Sequence, residues 1–219
     1  MCGRFVNAVD VNDLVDWFEI DEVRVGEVTR HWNVAPTDEV YAVAKHDGAR
    51  LLGSFRWGLV PRWSKDQRGG ARMINARAET LLDKPAFAHA LAHRRCLVPA
   101  QGFYEWRTEP NGTKTPFLVR PKDGRTLAFA GLWDRNQDLR TCTIVTSAPN
   151  GTVEPLHDRM PVILGPEAWD DWLDTHACEA DEALALLQPA PDDLLELVPV
   201  GQAVNNVRND SPDLLVPVG

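Results

Sequence analysis

The stretch from Cys96 to Ser147, CLVPAQGFYEWRTEPNGTKTPFLVRPKDGRTLAFAGLWDRNQDLRTCTIVTS, decides the fold class. Apolar runs at 96–99, 102–106, 116–120 and 126–133 are separated by Pro110-Asn111-Gly112 and Lys122-Asp123-Gly124. Asn-Gly and Asp-Gly between apolar runs signal hairpins, because these residues accept the positive φ that a tight turn requires. Leu139–Ser147 reads as a further strand. This segment therefore predicts antiparallel strands joined by hairpins.

Working outward, Val40–Ala44 and Leu51–Leu59 also read as strands. Val11–Phe18 predicts a short amphipathic helix, with Asp10 as N-cap and Leu14, Val15 and Phe18 on one face. Pro85 starts a helix to about His93, since a proline fits the first helical position. The polar, glycine-rich SKDQRGGA at 64–71 predicts a mobile loop. Beyond the central stretch, Glu167–Asp174 and Ala180–Leu187 read as helical and Leu194–Val200 as a late strand. There is no internal repeat, linker or low-complexity tract. The expectation is α+β: a single domain over residues 1–219, with a curled, barrel-like antiparallel β-sheet and short peripheral helices.

Composition narrows the function classes. The 219 residues suit one domain, and 44% apolar with 25% charged residues is the balance of a chain that buries a core. No apolar run approaches the roughly 18 residues that span a bilayer, and MCGRFVNAVD lacks the apolar stretch of a secretory signal. The expected location is cytoplasmic, with no membrane partner. Cys2, Cys96, Cys142 and Cys178 form no CxxC pair and no zinc-like spacing, so neither a disulfide framework nor a metal is expected. Cys96 and Cys142 lie in β-like apolar segments, where a free cysteine packs as a small hydrophobe. No cofactor is expected, and the chain is expected to be a monomer.

The net charge of −9 argues at first against a nucleic-acid partner. Its distribution differs: residues 50–107 carry 11 Lys/Arg against 4 Asp/Glu, whereas residues 150–219 carry 2 against 14. A basic middle can line a phosphate-binding groove while the rest repels DNA. It can equally be an ordinary charged surface, and charge alone favours that simpler view.

Five separated segments carry the chemistry: MCGRF at 1–5, NARAET at 75–80, GFYEW at 102–106, HDRMP at 157–161 and VNNVRND at 204–210. Each has an ordinary explanation by itself, such as a turn asparagine, a core tryptophan or a hydrogen-bonded loop histidine. In combination and in this order, from Met1 to about Asp210, they resemble the SRAP family, the SOS response-associated peptidase or abasic-site processing proteins.

The resemblance implies a mechanism that elementary chemistry supports. Removal of Met1 leaves Cys2 with a free α-amine beside its thiol. An α-amine has a pKa of about 7.7–8.0 against about 10.4 for lysine, so far more of it is nucleophilic at neutral pH. The amine can attack the ring-opened aldehyde of an abasic deoxyribose and lose water to give a Schiff base. Addition of the Cys2 thiol to the imine carbon then closes a five-membered thiazolidine, an intramolecular step favoured by effective molarity. The implied partner is single-stranded DNA containing an abasic site.

By the same resemblance, Glu105 is the acid/base for opening the closed sugar and His157 the acid for dehydrating the carbinolamine. Asn75 would position Cys2 near the sugar. Arg77, Arg159 and Arg4 would hold flanking phosphates. Trp63, in the PRW segment, is a candidate surface for stacking a base, whereas Trp57 and Trp106 read as core. Arg62, Lys65 and Arg68 are further DNA candidates.

Two rival classes use the same residues. In a cysteine-type peptidase, Cys2 would be the nucleophile, His157 the base and Asn75 part of an oxyanion pocket; its only expression could be self-removal of Met1. In a non-covalent binding module, Cys2 would be idle.

Overall fold

The computed structural model describes residues 2–25 and 30–218; Met1, whose removal the expected chemistry requires, lies outside them. In chain order the strands are β1 (Phe5–Asn7), β2 (Glu22–Val23), β3 (His31–Val34), β4 (Glu39–His46), β5 (Ala49–Trp57) and β6 (Asn75–Arg77). They continue as β7 (Arg95–Ala100), β8 (Gly102–Thr108), β9 (Lys114–Pro121), β10 (Leu127–Asn136), β11 (Leu139–Ser147), β12 (Met160–Pro161) and β13 (Leu195–Pro199). The helices are α1 (Val11–Phe18), α2 (Pro85–His93), α3 (Trp169–Leu173) and α4 (Ala180–Ala185).

One of the two expected hairpins forms and the other does not. Strands β8 and β9 pair antiparallel across Asn111-Gly112, with Gly112 at φ +82°. The turn at Asp123-Gly124 also closes, Gly124 N donating to Pro121 O with φ +73°, yet β9 and β10 belong to different sheets. The edge of β9 away from β8 is occupied by β13, and both edges of β10 are taken by β7 and β11. A turn motif specifies local direction. Which strand fills the adjoining edge is decided by tertiary pairing.

The first sheet runs β13-β9-β8-β1-β3. In the second, β11-β10-β7-β4-β5 closes into a ring because β5 pairs in parallel with the start of β11, Thr141 opposite Arg56 and Cys142 opposite Trp57. The barrel is therefore present but not wholly antiparallel: β6 also lies parallel on β11. The fold is α+β. Its side chains alternate between faces as strand geometry demands. Val43, Leu52, Leu97 and Leu132 face the helices, packing with Leu14, Phe18 and Trp172. Phe55, Trp57, Val98 and Ile144 join Phe5, Phe103 and Phe129 in a core contributed by both sheets. Val6, Tyr104, Leu118, Val198 and Val204 form a third cluster on the other face of the first sheet.

Helix α1 has the expected bounds, and the Asp10 carboxylate accepts from Asn12 N at its start. The segment 64–71, expected as a mobile loop, contains a 3-10 turn over Gln67–Arg72. Asn136 pins the chain leading into it, its amide donating to the carbonyls of Pro61 (2.9 Å) and Ser64 (2.9 Å). Gly58 and Gly70 let two backbones touch: Gly58 has φ +129°, and a Cβ there would lie 2.6 Å from Gly70 O. Gly58→Ala is expected to lower stability by at least about 1 kcal/mol, read as a shift in urea midpoint at constant slope. An unchanged midpoint would mean this contact does not hold the segment.

Candidate functional site

The N-terminal segment is placed by strand pairing. Phe5 lies opposite Phe103, and Tyr104 N donates to Arg4 O at 2.9 Å, so the chain runs antiparallel to GFYEW and carries residues 2 and 3 alongside Glu105. From the other side, β6 sets Asn75 opposite Ile144 on β11. Its amide Nδ2 donates to the Cys2 carbonyl at 2.8 Å. Asn75 Oδ1 is buried and has no hydrogen-bond partner among the described residues. A buried acceptor left open costs stability unless something else fills it, so this atom is available to a donor on a bound molecule.

Cys2 is completely buried, and its thiol lies 3.8 Å from Arg4 O. Burial pushes the thiol well above its ordinary value, and the charge of Glu105 adds to this. It is therefore a neutral thiol, not a resting thiolate. Glu105 is 4% exposed, and burial raises its carboxyl to about 7, with the charge of Asp158 pushing in the same direction. A carboxyl poised there can give or take a proton at neutral pH.

His157 follows the turns after β11. Its Nδ1 lies 2.8 Å from Asp158 Oδ1 and 3.0 Å from Arg159 N. A protonated Nδ1 would donate to Asp158, whereas an unprotonated Nδ1 accepts from Arg159 N–H; the two contacts belong to opposite protonation states. Burial lowers the ring's pKa, which favours the neutral form accepting from Arg159.

Asn75 is thus hydrogen-bonded to Cys2, the Glu105 charge acts on the Cys2 thiol, and Asp158, the neighbour of His157, acts on Glu105. The expected cation contacts sort differently. Arg77 is exposed and makes no hydrogen bond or ion pair among the described residues, so its guanidinium is open to a ligand. Arg159 is engaged: Nη1 and Nη2 each lie 2.8 Å from a Glu79 oxygen, and Nη2 also donates to Thr146 O. Arg4 is engaged too, Nη1 donating to Asn33 Oδ1 at 2.8 Å and Val204 O at 3.0 Å. Trp63 is 54% exposed but stands with a different group, its ring edge-on to His89. Of the two tryptophans expected in the core, Trp57 is fully buried, and Trp106 packs partly buried on the third cluster with its Nε1 donating to Asn205. Arg62 and Arg68 lie in ion pairs with Asp134 and Asp66. Cys96 and Cys142 are buried as expected.

Sequence reasoning missed the strap that holds the N-terminal segment. Asn33 Nδ2 donates to the carbonyls of Val204, Asn206 and Asn209 at 3.2, 3.2 and 2.9 Å. The Asp210 carboxylate accepts from Trp32 N (2.6 Å) and approaches His31 Nδ1 (2.8 Å). The signal was a buried asparagine in an otherwise aromatic and apolar strand, HWNV at 31–34, with VNNVRND as its distant counterpart.

Comparison with known proteins converges on one group. The family model described as SOS response associated peptidase (SRAP) matches residues 1–207. The chain is 41% identical over 221 residues to the abasic site processing protein YoqW of Bacillus subtilis, covering 98% of this chain and 99% of that one. It is 31% identical over 228 residues to the abasic site processing protein YedK of Escherichia coli, covering each chain completely. A crystal structure of a Bacteroides thetaiotaomicron protein superposes with a TM-score of 0.85 at 24% identity, over 98% of this chain and 99% of that one, a likeness of fold.

Proposed function

The chain belongs to the SOS response associated peptidase (SRAP) family, and from that premise we propose that it captures abasic sites in single-stranded DNA as a covalent thiazolidine on Cys2. The observation that carries the reading is the Asn75 hydrogen bond to the Cys2 carbonyl, beside a carboxyl raised to about 7. It holds an N-terminal cysteine next to a proton donor and acceptor, which is what aldehyde capture requires.

Each step balances with the chain's own groups once Met1 has been removed. Glu105 in its acid form protonates the ring oxygen of the closed sugar while its other carboxyl oxygen takes the anomeric hydroxyl proton, opening the aldehyde and restoring the acid. The Cys2 amine adds to the carbonyl carbon, and His157, neutral at rest, relays the two amine protons to the former carbonyl oxygen, which departs as water and leaves the imine. The thiol sulfur then adds to the imine carbon, and the S–H proton ends on the ring nitrogen. The product has no imine, so it lacks the electron sink that drives strand cleavage by β-elimination. A neutral thiol fits this sequence, because the amine attacks first and sulfur is needed only to close the ring.

The same protonation state weighs against the cysteine-peptidase reading. A thiolate nucleophile requires a depressed pKa, and the Cys2 thiol is displaced in the other direction. Removal of Met1 is the step that frees the amine, and processing in the cytoplasm by a monomer is the proposal's expected setting.

The test is intact mass of the purified protein before and after mixing with a single-stranded oligonucleotide carrying one abasic site. A protein lacking Met1 that gains one oligonucleotide, in a bond that survives heating without a reductant, is the expected result. A protein lacking Met1 that gains nothing would overturn the reading.

Arg77 supplies a second check. Its open guanidinium adjoins Asn75 on β6 and fits a flanking phosphate. Arg77→Ala is expected to weaken non-covalent DNA binding several-fold and to reduce the slope of log affinity against log salt by about 0.7, the loss of one single-strand phosphate contact. An unchanged slope would remove Arg77 from the DNA path.

A further inference from the structure

At the end of the ring remote from Cys2 lies a second cleft, of about 850 Å³. The start of β11 reaches this end while Asn75 and Arg77 pair with Ile144 and Thr146 further along the strand. Six residues separate Arg140 from Thr146, roughly 20 Å of extended chain, so the cleft is not part of the Cys2 site.

The lining of the cleft is rich in basic groups, with Asp47 and Asp174 as its carboxylates, and includes aromatic side chains. Arg62, Arg94, Arg135 and Arg140 line it, with His89 and His93 from α2 and with Phe55 and Trp133. In a chain of net charge −9 this concentration of cations is local and opposed to the whole. Asp134, 1% exposed, lies 3.4 Å from Arg62 Nε and 3.5 Å from Arg94 Nε. One carboxylate thus positions two guanidiniums and neutralises only one. The Arg94 guanidinium sits 4.5 Å from the Trp133 ring centroid, and Phe55 packs edge-on to Trp133.

Two features mark the cleft as incomplete without a ligand. Arg140 is exposed and has no hydrogen bond or ion pair among the described residues. Its Nη1 lies over Gly53, where a Cβ would sit 2.9 Å from the Phe55 ring and 3.7 Å from that nitrogen, so the glycine keeps this part of the lining open. His89 Nε2 is buried with no partner among the described residues. Burial lowers its pKa, and the neighbouring Arg62 and His93 add to this against the opposing charge of Asp134.

We propose that this cleft binds a nucleotide unit, its phosphate held by Arg140, Arg94 and Arg62 and its base packed against the Arg94–Trp133 pair. Guanidiniums match phosphate oxygens in pairs, and aromatic faces accept any base, so the chemistry selects a nucleotide without reading its identity. The unit can come from a free nucleotide or from a DNA strand passing over exposed Trp63, which touches His89 at the rim.

The experiment uses the full chain and needs no covalent step. Binding of an undamaged single-stranded oligonucleotide and of deoxyadenosine monophosphate is titrated at two salt concentrations for wild type, Arg140→Glu, Arg140→Lys and Lys114→Glu. Lys114→Glu makes the same charge change at an exposed position on β9, in the other sheet. Arg140→Glu is expected to weaken oligonucleotide binding about tenfold, a change of about 1.4 kcal/mol, with most of it restored in Arg140→Lys. Parallel loss of the mononucleotide identifies free nucleotides as occupants; loss confined to the oligonucleotide identifies the strand. Wild-type affinity in Arg140→Glu, or equal weakening by Lys114→Glu, overturns the cleft. Failure of covalent capture is separate: absence of an abasic-site adduct alongside Arg140-dependent binding removes the Cys2 reading and leaves this one standing.

Discussion

Cys2→Ala is expected to abolish the heat-stable adduct with abasic DNA while changing non-covalent affinity less than about threefold, well under 1 kcal/mol. The variant still presents a terminal amine once Met1 is gone, so it can reach the imine and stop there. Borohydride would then trap it, and without reductant the linkage would dissociate on heating. The substitution is mild for the fold: the thiol is fully buried in an apolar cluster and makes only a weak contact of 3.8 Å to Arg4 O among the described residues. Replacing sulfur by nothing larger than hydrogen leaves a small void, costing on the order of 1 kcal/mol. A heat-stable adduct formed by Cys2→Ala without reduction would eliminate the thiazolidine.

Glu105→Gln should slow capture of a closed-ring abasic site about 100-fold, the usual scale for losing a positioned acid/base group. Capture of an oligonucleotide bearing an open-chain aldehyde should change by less than tenfold, because only the first substrate needs ring opening. The pH dependence follows from the raised carboxyl. As a donor, Glu105 is competent below about 7, so wild-type capture of the closed sugar should decline as pH rises through that value. Glutamine cannot titrate, and the decline should vanish. Stability responds in the opposite sense to a salt-bridged carboxylate. The folded protein holds this proton more tightly than the unfolded chain, so the contribution is fully present below about 4.5 and is lost as pH rises through about 7. Glu105→Gln is therefore expected to be more stable than wild type above neutrality, with the advantage fading in acid. Equal slowing of both substrates would take Glu105 out of ring opening.

Most of the elements were legible because they follow short-range rules. Asp10 caps α1 and Pro85 opens α2 where local chemistry places them, and Leu139–Ser147 forms one strand as its apolar pattern requires. The sorting of strands was not legible. Asp123-Gly124 makes its turn, but nothing local tells β9 to pair with β13 or tells β5 to close the ring on β11. The 3-10 turn within the glycine-rich segment 64–71 was not legible for the same reason: Gly58 and Asn136, which contact it and its lead-in, lie outside it. In the site, Cys2, Asn75, Glu105 and His157 stood out through their motifs, whereas Asn33 lay outside any motif and Glu79, inside NARAET, received no role. Both act on another side chain, and a polar residue in that role looks like any other until its partner is in view.

The strap from Val204 to Asp210 bears on when the protein becomes reactive during its own synthesis. Arg4, two residues from the nucleophile, is held by Val204 and by an Asn33 that itself depends on Val204, Asn206 and Asn209. A ribosome makes the nucleophile first and its clasp last. Nascent chains that end before Val204 can pair β1 with β8 but leave the Arg4 guanidinium without its clasp. On the proposed chemistry, full anchoring of the segment that presents Cys2 arrives only as synthesis nears its end.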